Sequence, residues 1–232
     1  MSISIIIPVY NEEDCIERCV RETHEAFRDA DYEIIIVNDG STDRSQGVIA
    51  GLSNGNNQIR CVEYATNKGY SHAIRQGIKL ASKEYTSYLD ADLQYPPSQL
   101  RQMYDFASRD RPVFVLGRPT RKYYNPYRQL LSYGYNFLVS RLLHLPVTDA
   151  NSLKLIKTET LKRLPLQREL GAIELEVLVG IANQSVPIHF FPIRVQKRLA
   201  GKSKSGLKLI GPTLKSIMEL RRVRRTDPTA GR

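Results

Sequence analysis

Residues 85–100 read YTSYLDADLQYPPSQL. A short run of strand-forming residues stops on Asp90, Asp92 and Gln94, set on alternate positions, before Pro96 and Pro97 close it. Two carboxylates and an amide at the end of an apolar strand are out of place in a hydrophobic core. They are in place at the carboxyl edge of a parallel sheet, where open α/β proteins bind their ligands. Which of these applies depends on the rest of the chain.

The preceding residues repeat the pattern. ISIIIPVY (3–10) reads as a first strand, and NEEDCIERCVRETHEAFRDA (11–30) as a helix in which Ile16, Cys19, Val20 and Phe27 recur at helical spacing, with acidic residues in its first turn. YEIIIVNDGSTDRS (32–45) is a second strand closed by a turn suited to cap a helix from Ser45 to Leu52. IRCVEYA is a third strand, GYSHAIRQGIKLAS a helix, and YTSYLDAD the fourth strand. Strands that alternate with helices and run apolar on both faces imply a Rossmann-like α/β fold, its mostly parallel central sheet covered by helices on both sides. Pro8 to Glu12, Asp39 to Ser41 and Asp90 to Gln94 then all lie at strand carboxyl ends, and we expect them to converge in one crevice.

Beyond Pro97 the pattern predicts a helix (PSQLRQMYDFASR), a strand (PVFVLGR), a long helix (RQLLSYGYNFLVSRLLHL) and a strand-helix pair (SLKLIKTETLKRL). A helix (ELEVLVGIANQ), a strand (VPIHFFPIRVQ) and a basic loop (RLAGKSKSG) follow. Residues 1–205 form one expected catalytic domain and residues 206–232 a basic amphipathic segment with a tail. Leu207, Ile210, Leu214 and Ile217 share one face of that segment. Pro212 belongs near its start, since mid-helix it would cost about 3 kcal/mol.

The net charge of +10 is localised: residues 1–192 hold 22 basic and 22 acidic side chains, residues 193–232 hold 12 and 2. Such a tail suits nucleic acid, an anionic membrane or a phosphorylated substrate. No apolar run approaches the roughly 18 residues of a membrane span and no leader is evident, which predicts a cytoplasmic protein, peripheral at most at the inner face of a membrane. Of the three cysteines, Cys15 and Cys19 sit at helical spacing as small core residues, consistent with a reducing compartment. His24, His72, His144 and His189 are scattered, without zinc spacing.

At the strand ends, Asp90 and Asp92 can share a hard divalent cation with substrate phosphates, and Gln94 can add a carbonyl oxygen. Asp39 can accept hydrogen bonds from a nucleobase. Pro8, Tyr10 and Glu12 beside it offer a wall, an aromatic edge and an acceptor. Between Arg111 and Thr148 there are six basic residues and no acidic one, a composition suited to an anionic acceptor.

Taken together, IIIPVYNEE, IIIVNDGSTDRS, NKGYSHAIRQGI, YLDADLQYPP, the Gly117-Arg118 pair and RLAGKSK stand in the order and at about the spacing of family 2 glycosyltransferases. Over roughly Ser2 to Leu207 the chain resembles the branch of dolichol-phosphate mannose synthases and bacterial polyprenyl-phosphate glycosyltransferases. The resemblance implies a GT-A fold and inverting transfer of a hexose, mannose or glucose, from a GDP- or UDP-linked sugar to a polyprenyl or dolichyl phosphate, with Mg2+ or Mn2+. It implies a nucleoside pocket of Pro8, Tyr10, Glu12, Val37 and Asp39. In the Asp-x-Asp-x-Gln motif of Asp90, Ala91, Asp92 and Gln94, it makes Asp92 and Gln94 the metal ligands and turns Asp90 to the sugar or ribose. Arg118, Arg128 and Ser132 correspond to positions that meet the acceptor phosphate, Arg118 also serving the donor. Arg198 and Lys204, with Lys202 beside them, correspond to the loop over the diphosphate.

The chain departs from the family pattern at three places. No residue separates Gly117 from Arg118, SLKL occupies 152–155 where Ser-Gly-Phe-Arg is usual, and Asn38 stands where aspartate is common; Asp149 is retained as a residue type. A saccharide or cell-envelope glycan acceptor is the alternative substrate class; it would need a carboxylate base, for which Glu174 and Glu176 are the candidates. A nucleic-acid-binding module using the basic tail is the alternative outside enzymes, and it leaves the carboxylate crevice without a purpose. The segment 206–225 can lie on an anionic bilayer, dock a membrane-spanning partner, or pack as an ordinary surface helix.

Overall fold

The computed structural model describes residues 1–122, 126–147, 149–166, 172–198 and 210–225, without the side chains of 121–122, 126–128, 210–214 and 223–225. Seven strands form one sheet in the order β3-β2-β1-β4-β6-β5-β7. β1 (Ser2–Val9), β2 (Asp31–Asn38), β3 (Ile59–Glu63) and β4 (Tyr85–Tyr88) are parallel to one another. β6 (Lys154–Lys157) runs antiparallel to both neighbours, β4 and β5 (Phe114–Lys122), and β7 (Ile188–Val195) is parallel to β5. β6 is therefore the single reversed strand of this sheet.

Alternation along the central strands divides the core in two. Ile3, Ile5 and Ile7 of β1, with Ile34 and Ile36 of β2, pack under α1 (Ile16–Phe27), α2 (Ser45–Ser53) and α4 (Pro97–Asp110). Ile6, Ile35 and Val37 point the other way, toward α3 (Tyr70–Leu80), α5 (Pro126–Leu143), α6 (Thr158–Arg163) and α7 (Ile173–Asn183). The near-continuous apolar reading of β1 and β2 follows directly: both faces of each strand are covered.

One element differs from the sequence reading, and one of its open alternatives is decided. The first helix begins at Ile16, and Asn11 to Cys15 form a loop with Asn11 at φ 56°, a left-handed conformation that asparagine tolerates. The last helix, α8 (Ile210–Arg225), buries Ile217 and Leu220 in the second core cluster and packs on α5 and α7. Its inner face is thus occupied by the domain.

Candidate functional site

The strand order places the chain reversal between β1 and β4. Successive strands go one way from β1, through β2 to β3, and β4 then returns to its other side, so a crevice opens at their carboxyl ends. The Ile6 carbonyl accepts from the Leu89 N–H at 2.8 Å, the last rung between the two strands. Pro8 has the same parity as Ile6, so its missing N–H falls on the side where β4 has ended, and no donor is stranded there. A cleft of about 460 Å3 lies beyond, lined among others by Pro8, Tyr10, Glu12, Asp39, Asp90, Asp92 and Arg198. The three polar clusters expected to converge do meet here.

The loop after β2 is locked to the loop after β1 by side chains bonding to backbone. Ser41 Oγ accepts from Asn11 N–H (3.0 Å), Asn11 Oδ1 from Thr42 N–H (2.7 Å), Ser45 Oγ from Glu12 N–H (3.0 Å) and Asp43 Oδ2 from Glu13 N–H (3.2 Å). Asp43 Oδ1 also accepts from Ser45 N–H at 2.9 Å, supporting the start of α2. The cap position of α2 is Arg44, which makes no side-chain cap; the role of the Gly-Ser-Thr-Asp turn is to fix the walls that carry Tyr10 and Glu12.

Asp39, buried, accepts from the N–H groups of Lys68 (3.0 Å) and Gly69 (2.7 Å) at the head of α3. This ties β2 to the residues that form the cleft floor. Gly40 makes the approach possible: at φ 71° a side chain there would be strained, and its Cβ would stand 2.5 Å from the Thr66 carbonyl carbon.

β4 ends at Tyr88, and the turn after it is tight. Leu93 sits at φ 58°, uncommon for a bulky residue, and its backbone reversal lets Asp92 Oδ1 accept from the Gln94 N–H at 2.9 Å. The Gln94 carbonyl accepts from Gln196 N–H at 2.8 Å, which pins this turn to the chain leaving β7. Arg198 follows two residues later, its guanidinium 2.7 Å from Asp92 Oδ2. Burial, then the neighbouring charges of Asp92 and Glu174, push the Asp90 carboxyl up to about 7.

Behind Asp90 lies a group that the sequence reading missed in part. Lys154, fully buried, donates to the carbonyls of Ala150 (2.7 Å) and Ser152 (3.0 Å) and to the Glu174 carboxylate. Glu174 also accepts from Tyr70 (3.1 Å) and Tyr88 (3.0 Å). Burial and the Glu174 charge hold the Tyr88 phenol well above its ordinary value. Glu176 is buried too, 2.5 Å from Arg75. Glu174 and Glu176 are thus interior ion-pair partners, and Glu174, already accepting three hydrogen bonds, is poorly suited as a general base. A lone lysine inside the apolar run SLKLI was the available signal, because lysine is rarely buried unless paired.

Other expected site residues lie elsewhere. Val37 is wholly buried in the core on β2, paired in register with Pro8. Arg118 is exposed on β5, two strands from β4, with its guanidinium 6.0 Å from the Phe190 ring centre, and it does not line the cleft. Ser132 is half-buried on α5, its carbonyl accepting from the Asn136 amide at 2.8 Å. The Arg128 side chain, Lys202 and Lys204 fall outside the described residues. Among the described residues, no cluster of three or more His, Cys, Asp or Glu could hold a metal by itself, and no helix is long and apolar enough to cross a membrane.

A family model for glycosyl transferase family 2 matches residues 4–163. A dolichol-phosphate mannosyltransferase of Pyrococcus furiosus is 27% identical over 230 residues, covering 95% of this chain and 64% of the relative. An undecaprenyl-phosphate 4-deoxy-4-formamido-L-arabinose transferase of Pectobacterium atrosepticum is 34% identical over 143 residues, 60% of this chain and 43% of the relative. The chain thus spans less than two thirds of the length of these curated relatives. Among solved structures, glucosyl-3-phosphoglycerate synthase from Mycobacterium tuberculosis, in complex with Mn2+, UDP-glucose and phosphoglyceric acid, superimposes with a TM-score of 0.72 at 17% identity, covering 98% of this chain and 80% of that one. That likeness establishes the fold as the GT-A arrangement that the resemblance implied.

Proposed function

Because the chain belongs to glycosyl transferase family 2, we propose that it transfers a sugar, with inversion, from a nucleoside-diphosphate sugar to a polyprenyl phosphate. The observation that carries this reading is the cleft at the β1/β4 switch point, in which Asp39, Asp90, Asp92 and Arg198 meet. The acceptor class is supported by the relatives, which are named for dolichol-phosphate and undecaprenyl-phosphate transfer. Mannose and glucose are the first sugars to test.

In this reading Pro8, Tyr10 and Glu12 flank the nucleobase, Val37 backs the pocket from the core, and Asp39, held by the head of α3, accepts from the base. Uracil and guanine both present N–H donors, so UDP- and GDP-sugars are both to be screened.

The residues fit a hard divalent cation, Mg2+ or Mn2+. Asp92 and Gln94 offer only oxygen donors on one tight turn, and the charge crowding that lifts Asp90 is of the sign that a cation relieves. Asp92 and Gln94 would hold it, with Asp90 beside them facing the sugar or ribose, and further ligands would come from the diphosphate. When bound, it neutralises charge developing on the leaving diphosphate. Arg198, beside Asp92, serves the same charge, and Lys204 is its proposed companion. Ala91 contributes wall and backbone between the two aspartates. A phosphate acceptor is already anionic at neutral pH, so it needs only to be oriented and no strong base is required; Arg128 and Ser132 are the proposed orienting residues, and Arg118, outside the cleft on β5, could meet only an acceptor that extends beyond it.

The test is a screen of labelled UDP- and GDP-sugars with Mg2+ or Mn2+ and a polyprenyl phosphate, beside Asp92→Ala. Lipid-linked product from the wild type and none from the variant is the expected result. Turnover on a saccharide with none on any lipid phosphate would overturn the acceptor class.

A further inference from the structure

Gly69 and Tyr70 wall the cleft at the strand ends and also a second, larger cavity of about 760 Å3. This cavity runs along α3 to α6. Lys79 and Lys162 line it at the end of α3, Lys68 at its head, and Ile78, Leu161, Leu164 and Leu166 give it an apolar wall. Its volume is that of a small-molecule site, and an apolar wall with a few polar groups is the usual composition of one. No aspartate or glutamate lines it.

The charge around this groove is unbalanced. Arg75, also in the wall, is paired with Glu176. Among the described residues the three lysines have no carboxylate partner: Lys68 lies over the Tyr64 ring at 4.7 Å, Lys79 donates to Gln76 Oε1 at 3.3 Å, and Lys162 donates to the carbonyls of Ala81 (2.7 Å) and Lys79 (3.3 Å). His72 stands in the same wall, and burial, helped by the charges of Lys68, Lys79 and Arg75, holds its imidazole below the ordinary value although Asp39 pulls it up.

The end of α3 is where donors gather. Lys162 bonds to carbonyls of the last turn, so its ammonium and that of Lys79 leave the same end of the helix, and it covers the carbonyl charge there. An ammonium carries three hydrogens. Lys79 uses one and Lys162 two, so three remain for an anion beside Leu161 and Leu164. Lys68, about 16 Å away along the helix axis, adds attraction and no contact.

We infer that the groove between α3 and α6 binds a small organic phosphate, its dianionic head at Lys79 and Lys162 and its apolar body along Leu161, Leu164 and Leu166. A bare inorganic ion would leave the leucine wall unused, and the concave shape suits a small molecule better than a flat acidic surface. The site is separate from the cleft of the proposed function, whose Asp39, Asp90 and Asp92 repel a phosphate when no cation is bound. It lies next to that cleft, because Gly69 and Tyr70 belong to both and His72 Nδ1 is 3.9 Å from Asp39 Oδ1.

Calorimetry with phenyl phosphate and with inorganic phosphate, in EDTA so that no metal bridges either to the carboxylates, tests the assignment. The wild type should bind phenyl phosphate saturably and about tenfold more tightly than inorganic phosphate, through burial of the ring. Lys79→Ala should bind it about fivefold more weakly. Gln76→Glu, which sets a carboxylate against Lys79 without removing a cation, should weaken it by at least as much. Both variants should keep the wild-type melting temperature, and Arg198→Ala should bind phenyl phosphate as the wild type does. No saturable binding, equal affinity for the two phosphates, binding unmoved by both groove variants, or binding lost in Arg198→Ala would each overturn the inference. Metal, sugar donor and lipid acceptor are all absent from this measurement, so its failure and the failure of transfer are read apart.

Discussion

The Arg198 guanidinium lies 2.7 Å from the Asp92 carboxylate, joining the chain beyond β7 to the turn beyond β4. Asp92 is almost wholly buried, so the pair is a strong, charge-assisted contact, and it occupies the carboxylate that the proposed function gives to a cation. Metal binding must therefore compete with Arg198. Arg198→Ala is expected to bind Mn2+ several-fold more tightly in the absence of nucleotide, as read by calorimetry. Its turnover should fall on the order of 10²-fold because a donor to the leaving diphosphate is lost. Weaker Mn2+ binding in the variant would show that Arg198 does not compete for Asp92.

Lys154, fully buried, pairs with the largely enclosed Glu174, and its ammonium spends its donors on two carbonyls and one carboxylate. Lys154→Met leaves the largely enclosed Glu174 carboxylate without its cation and should cost about 3 kcal/mol in chemical denaturation. Adding Glu174→Gln should recover a large part of that loss, because a neutral amide no longer needs the lysine. A double variant as unstable as the single one would place the cost in packing rather than charge.

Asp39 holds two N–H groups at the head of α3. Asp39→Ala strands both, and a loss of about 1–3 kcal/mol is expected, with nucleotide binding reduced as well. Gly40→Ala should lower stability without removing any polar group, since its Cβ would press on Thr66. Thermal melting with and without UDP or GDP measures both effects.

Glu33, buried, would be raised by burial, but hydrogen bonds from Ser4, Ser82 and Arg60 outweigh it and hold the carboxyl below 4.5. A folded-state value below the unfolded one means that the unfolded chain binds more protons in this window. The contribution is complete above about pH 4.5 and is lost as pH falls through the folded-state value. Glu33→Gln should flatten the acid limb of the stability curve, which urea titrations between pH 3 and 6 would reveal. An unchanged limb would assign it to other carboxylates.

Much of the site was legible because its residues sit where two local patterns meet. An apolar strand followed at once by Asp90 and Asp92, or by Asp39, marks a strand end whatever the rest of the chain does. The interlocking of Asn11, Ser41, Thr42 and Asp43 was not legible, since each looks like an ordinary turn residue and the partners stand about 30 positions apart. Glu174 and Glu176 stand in the sequence as candidates for a base. Their acidity in an apolar helix was visible, but the buried cations opposite, Lys154 and Arg75, arrive from other elements. The groove between α3 and α6 was hidden for a similar reason: Lys79 and Lys162 stand on separate elements 83 positions apart.

The sequence by itself determined the parallel α/β half of the fold, the strand ends that carry chemistry, and the family, because these rest on local periodicity and on short motifs in a fixed order. Tertiary structure alone decided the reversal of β6, the pairing of Arg198 with Asp92 and of Lys154 with Glu174, and the groove between α3 and α6. Each of these depends on contacts between residues far apart in the chain, where the free energy lies in burial, charge pairing and desolvation, and not in the conformational preferences of neighbouring residues.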